Sequence, residues 1–168
     1  MTKTSKSLLI IILIVVAFLV FYNMTNTQNS NIISNGDIQI IPIEHATMVL
    51  KWGSKVIYVD PGTLKSGREA FKGQPEPDLI LITDIHGDHL DIKTLQAVSK
   101  AKTVIIAPMA VADMIPNTVA GDLLVMKNGQ KTNAKTSQKV NLNGFDIEAI
   151  PMYNLPEKAD AYHTKGRG

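Results

Sequence analysis

The order of apolar segments predicts an α/β fold, a layered sandwich rather than a purely doubly wound sheet. Three observations carry this reading. A strand-rich stretch opens the folded part, a strand–helix–strand–helix alternation follows, and short strands return near the end. Ile38–Ile43 is mostly apolar and reads as a strand, and Thr47–Trp52 reads as a second. Gly53-Ser54 suits a tight turn into a third, Lys55–Val59. Asp60-Pro61-Gly62 then gives a turn signal, and residues 64–77 form a polar loop containing two glycines and two prolines. Asp78–Thr83 is almost continuously apolar, as expected for a strand buried on both faces. Asp91–Lys100 has a helical pattern: Asp91 suits the N-cap, and Leu95 and Val98 share a face, with Leu90 just before. Thr103–Ala107 is the next buried strand, and Pro108 starts a short helix over Met109–Met114. Asp122–Met126, Gln138–Leu142 and Phe145–Ile150 read as three more strands, the last two joined by a hairpin turn at Asn143-Gly144. No internal repeat stands out.

The segment ahead of this domain has a different character. Lys3 and Lys6 precede an unbroken apolar run from Leu8 to Tyr22, the charged and apolar regions of an export signal. The run ends in bulky Phe21-Tyr22-Asn23-Met24, with no small-x-small cleavage pattern. Residues 1–22 are therefore expected to be an uncleaved signal anchor, with a cleaved signal peptide as the alternative. Residues 23–36 are rich in Asn, Thr and Ser and read as a polar tether, which leaves 37–168 as the folded domain. The tether has no charge, so the positive-inside bias of Lys3 and Lys6 places the domain outside the cytoplasm, tied to the membrane or exported.

Composition removes several function classes. The net charge is +2 with basic residues scattered, so no nucleic-acid partner is expected. The chain has no cysteine, which excludes disulfides, a thiol nucleophile and thiolate zinc sites. Any metal must be held by His, Asp or Glu.

The run Asp84-Ile85-His86-Gly87-Asp88-His89 supplies those residues at the carboxyl end of a buried strand, where α/β folds place their ligand sites. Alternate residues of an extended segment point the same way, so Asp84 and His86 can share one ion. Gly87 lets the backbone turn and aim Asp88 and His89 at a neighbouring position. Imidazole and carboxylate suit Zn²⁺, Mn²⁺ or Fe²⁺. One or two ions are expected, and a pair ~3.5–4 Å apart would suit hydrolysis. A polar turn that merely caps the next helix is the bland alternative; four such groups in six residues favour metal.

This loop resembles the metallo-β-lactamase superfamily signature His-x-His-x-Asp-His, with Asp84 in place of the first His. Glu44-His45-Ala46-Thr47 is similar to the family's Gly-His-Ala-Ser element. Val56–Gly62 is similar to its strand ending in Asp-Pro-Gly. Pro151-Met152-Tyr153-Asn154, followed by His163-Thr164-Lys165-Gly166, is similar to the lactonase-like branch. The resemblance covers roughly Ile38 to Gly168 and implies an αββα sandwich. It assigns Asp84, His86 and His163 to the first metal and Asp88 and His89 to the second, with Asp88 orienting the attacking water. It makes His45, Asp60 and Asn154 supporting or pocket residues. A turn-forming Asp60 and a hydrogen-bonded strand-end His45 are the alternatives read from the residues themselves. Lys165 and Arg167 could meet an anionic substrate, but solvated charges are the favoured reading.

The family's second half brings a strand ending in Gly-Asp and a later His, and neither follows His163; Gly121-Asp122 precedes a strand instead. The chain is therefore expected to be the first, N-terminal half of such a domain. The function expected from the resemblance is metal-dependent hydrolysis of a small molecule, a lactone or phosphoester-like substrate being favoured. The alternatives are a metal-binding fragment without catalysis and, less favoured, true β-lactamase activity.

Overall fold

The computed structural model describes residues 33–35, 38–62, 65–133 and 142–165. The expected signal anchor and most of the tether lie outside them. Among the described residues no helix is long and apolar enough to cross a membrane.

Among the described residues seven strands form one sheet in sequential order: β1 (Ile33–Asn35), β2 (Ile38–Glu44), β3 (Thr47–Trp52), β4 (Lys55–Val59), β5 (Leu79–Leu81), β6 (Val104–Ala107) and β7 (Asp122–Val125). Strands β1 to β4 run antiparallel and β4 to β7 run parallel. The chemistry of the connections explains the change. Short turns such as Gly53-Ser54 can only reverse the chain, whereas a parallel return needs a crossover. The crossovers hold a 3₁₀ turn at Gly67–Phe71, then α1 (Ile92–Val98), then α2 (Met109–Ala112). A separate two-stranded ribbon pairs β8 (Lys131–Thr132) with β9 (Ile147–Glu148).

Strand β2 holds Pro42, which lacks an N–H for a ladder. Among the described residues its neighbour β1 reaches only Ile38–Ile40, and none of them pairs with Pro42 on that side. The register towards β3 shifts between Pro42 and Glu44.

Side-chain alternation divides the core between the two faces of the sheet. Ile80, Ile82 and Ile105 pack with Val49, Tyr58, Leu90, Leu95 and Val98 on the helix-covered face. Leu79, Val104 and Ile106 pack with Met126, Leu142 and Phe145 on the other. The expected helix face is thus confirmed, with Leu90, Leu95 and Val98 buried. So is the Asp91 cap, whose Oδ1 accepts from the Thr94 amide at 2.6 Å.

Several elements differ from the sequence reading. The sheet begins at Ile33, inside the segment read as tether, because Ile33–Asn35 finds ladder partners on β2. The 64–77 loop contains a 3₁₀ turn that buries Phe71 against Tyr58, with ring centroids 4.7 Å apart. Asn143 and Gly144 do form the expected turn, with φ of 54° and 88° and a Phe145 N–H to Leu142 carbonyl bond of 2.9 Å. However, Ile147–Glu148 pairs with Lys131–Thr132. Residues 138–141 of its expected partner lie outside the described residues.

The parallel pairing of β4 and β5 sets where two neighbouring loops can meet. Val59 sits opposite Leu81, so the loops leaving both strands emerge side by side. The Asp60-Pro61-Gly62 turn is then pressed against the next loop. A Cβ built on Gly62 would lie 2.4 Å from the backbone N and C of His89. Gly62→Ala is expected to destabilise the fold by about 2–3 kcal/mol, because backbone cannot move aside as a flexible side chain can. Urea unfolding with an unchanged midpoint would contradict this.

Candidate metal centre

The loop after β5 carries the four expected ligands, and its placement follows from the strand end. Asp84 lies only two residues beyond Ile82, whose amide is still bonded to Ile106. The backbone then folds on itself, with the His89 and Leu90 amides both donating to the His86 carbonyl at 2.9 and 2.8 Å.

Asp84 is the centre of the first group. Its side chain is 1% exposed, and Oδ2 lies 3.0 Å from His86 Nδ1 and 3.1 Å from His163 Nε2. The other oxygen, Oδ1, accepts the Ile85 amide at 2.7 Å. Among the described residues, Asp84, His86 and His163 offer ligand atoms that all lie within 4.8 Å of one another. Four ligands at ~2.0–2.1 Å from one tetrahedral ion stand roughly 3.3–3.4 Å apart. The observed 3.0 and 3.1 Å separations are close to that edge. A buried carboxylate between two imidazoles also needs positive charge to offset its desolvation, which a divalent cation supplies. The residues therefore fit a metal: two imidazoles and one carboxylate.

His89 belongs to a second group. Its Nδ1 lies 3.0 Å from Asp60 Oδ2 and 3.0 Å from the Thr83 hydroxyl. A carboxylate partner places the proton on Nδ1 and leaves the Nε2 lone pair for a ligand. That Nε2 faces Asp88 Oδ2 at 3.8 Å. The His89 side chain is 15% exposed and that of Asp88 38%, so this pair opens towards solvent.

Asp60 is held as firmly as it holds. Its Oδ1 accepts the Thr83 amide at 2.7 Å, and its Oδ2 accepts the Thr83 hydroxyl at 2.8 Å. Its own amide donates to the Leu81 carbonyl at 2.8 Å. The residue adopts φ of 45°, and the Thr47 hydroxyl donates to its carbonyl. Burial pushes the Asp60 carboxyl above its ordinary value, while the Thr83 hydrogen bonds and the His89 ring pull it back down.

His163 arrives from far along the chain and is seated by Asn154. The Asn154 amide donates to the His163 carbonyl at 2.9 Å, and Asn154 Oδ1 accepts the His163 amide at 2.9 Å. The two imidazoles of the first group meet edge to face, with centroids 5.2 Å apart.

The structure thus brings together Asp84, His86 and His163, and separately Asp60, Asp88 and His89, with Asn154 behind His163. The ring centroids of His89 and His163 lie 6.4 Å apart, so the two groups adjoin. His45 is not brought in. It occupies the β2–β3 turn at φ of 49°, its side chain 54% exposed and 4.0 Å from Glu44. Its neighbour Thr47 supports the site instead, through Asp60. Lys165 is bound to Glu157 at 2.8 Å and lies 5.3 Å over the Tyr153 ring; Arg167 is outside the described residues. Thr83 and Thr47 were missed by sequence reasoning. The available signal for Thr83 was a hydroxyl residue closing an apolar strand directly before the acidic loop, and for Thr47 its place at the end of the Gly-His-Ala-Ser-like element.

Comparison with known proteins identifies the family. Residues 39–166 match the family model for a β-lactamase superfamily domain. The chain belongs to the metallo-β-lactamase superfamily. A crystal structure of a protein assigned as a metal-dependent hydrolase, from Parabacteroides distasonis, is 36% identical with a TM-score of 0.59. It aligns with 77% of this chain and 52% of its own. The metallo hydrolase Igni18 from the archaeon Ignicoccus hospitalis shares the fold at 15% identity and a TM-score of 0.52, over 76% of this chain and 53% of its own. This chain spans about half the length of both. No curated protein matches.

Replacing Asp60 by Ala is expected to lower Zn²⁺ or Mn²⁺ affinity about 10–100-fold, because His89 loses the acceptor that fixes its tautomer. Calorimetric titration of folded Asp60→Ala protein checks this. Wild-type affinity would show that His89 orients without Asp60.

Proposed function

We propose that this chain forms the metal-binding part of a metal-dependent hydrolase acting on a small molecule, with a lactone or a phosphoester-like compound as the favoured substrate. The observation that carries the reading is the convergence of His86 and His163 on one buried oxygen of Asp84. Membership of the superfamily supports the reaction class.

Asp84, His86 and His163 would hold one divalent ion, and Asp88 with His89 would contribute to a second. Zn²⁺ is the first choice for this donor set, and the carboxylate of Asp84 also suits Mn²⁺ or Fe²⁺. Such an ion supplies Lewis acidity and makes water a nucleophile at neutral pH. The protein's own residues do the rest. Asp60 and Thr83 fix the His89 ring. Asp88, partly open to solvent, can accept a proton from an attacking water and orient it.

Elemental analysis of the purified chain should find one or two equivalents of a transition metal, and Asp84→Ala or His163→Ala should remove about one of them. No bound metal, or a metal content unaffected by these substitutions, would overturn the assignment. Lactone or phosphodiester hydrolysis, abolished by chelation and restored by Zn²⁺ or Mn²⁺, would support catalysis. Metal binding without turnover would favour the alternative of a non-catalytic metal-binding fragment. The feature that motivates that alternative is Asp84 in place of the first His of the signature.

The proposed location is outside the cytoplasm, with residues 1–22 as a membrane anchor. The support is the apolar run behind Lys3 and Lys6. The anchored form should stay in the membrane pellet after alkaline carbonate washing, and deletion of residues 1–22 should release it. Full-length protein in the wash would sink the proposal.

A further inference from the structure

The ligand His163 is supplied by a segment with little of its own burial. Leu155 is 78% exposed and Tyr162 is 80% exposed, and residues 154–161 are exposed apart from a half-buried Ala161. Such a loop has many conformations, and most would carry the His163 ring away from Asp84. Something must select the one in which Nε2 stands 3.1 Å from Asp84 Oδ2.

Two hydrogen bonds do so, and both come from one residue. Asn154 takes the His163 amide on its side-chain Oδ1 and gives its own amide to the His163 carbonyl, each at 2.9 Å. His163 is thereby held on both sides of its Cα, which fixes the direction of its Cβ and leaves only the side-chain torsions free. An ion pair from Lys165 to Glu157 at 2.8 Å also spans the loop, but it is exposed and screened by water. The Asn154 pair acts at the ligand itself.

We infer that Asn154 is the positioning residue for the third ligand of the first metal group: its side-chain amide oxygen, by holding the His163 N–H, sets the affinity of the site. This rests on the proposed metal site. The residue touches no ion and takes part in no chemical step. Its effect passes through His163 alone.

The test is a Zn²⁺ and Mn²⁺ titration of the intact chain and three variants, with apo-protein unfolding measured alongside. Asn154→Ala removes the acceptor and is expected to weaken binding about 10–100-fold, the range for loss of a partner that orients a ligand. Apo stability should change little, since the loop is exposed. Asn154→Asp keeps an acceptor oxygen at the same place and is expected to restore affinity to within a fewfold of wild type or better. Glu157→Gln breaks only the exposed ion pair and should stay within about twofold. The inference fails if Asn154→Ala binds as wild type does, if Asn154→Asp is as weak as Asn154→Ala, or if Glu157→Gln loses as much. Failure of the wild-type chain to bind either ion is a different result: it rejects the metal site itself.

Discussion

A single buried carboxylate, that of Asp60, joins the parts of the molecule on which the site depends. It stands at the end of one parallel strand and accepts two hydrogen bonds from Thr83 at the end of the next. It also faces the ring of His89 in the loop beyond. An ionised carboxylate removed from water costs several kcal/mol unless its oxygens are matched. Here the matching groups are an amide, a hydroxyl and an imidazole, so the desolvation cost becomes a geometric constraint. The strand ends must stay in the Val59–Leu81 register for the oxygens to be satisfied. The turn from Asp60 to Gly62 must stay pressed against His89, and only a residue without Cβ allows that approach. The site is therefore built as an extension of sheet pairing, and rigidity passes from ladder to carboxylate to imidazole.

Much of the scaffold was legible because short-range physics decides it. Ile80 and Ile82 alternate with Leu79 and Leu81 in a strand covered on both faces, and an unbroken apolar run announces that. Asp91 lies just before a helical pattern, and its side chain does cap that helix. What was illegible depends on partners distant in sequence. Ile33–Asn35 reads as polar tether, and only the exposed edge of β2 makes it a strand. Lys131–Thr132 is too short to show a period, and it takes Ile147–Glu148 as its partner. Propensity alone could not choose between that pairing and a local hairpin across Asn143-Gly144.

The candidate ligands divide in the same way. Asp84, His86, Asp88 and His89 stood out because four ligand-type residues crowd into six positions after a strand. His163 stood out only by resemblance, since nothing in its immediate neighbourhood marks it. Its convergence with Asp84 is a product of the chain's path. His45 had an equally good sequence context, yet its turn leaves the side chain 54% exposed, beside Glu44. Thr83 and Thr47 escaped because threonine at a strand end is ordinary β-propensity. Their value lies in a hydroxyl that meets Asp60 only after β4 and β5 are paired.

His163 and Asp84 are separated by about 80 residues of chain. Any ion held between them would act as a removable cross-link, closing one long ring in the covalent chain. Ring closure of this length removes substantial freedom from the open state, and each added residue changes that only slowly. The carboxyl-terminal segment would then be docked in proportion to ion occupancy, since binding to one state alone shifts the balance by mass action. The supply of metal in the compartment would set how long the segment carrying His163 survives proteases, quite apart from any reaction at the site.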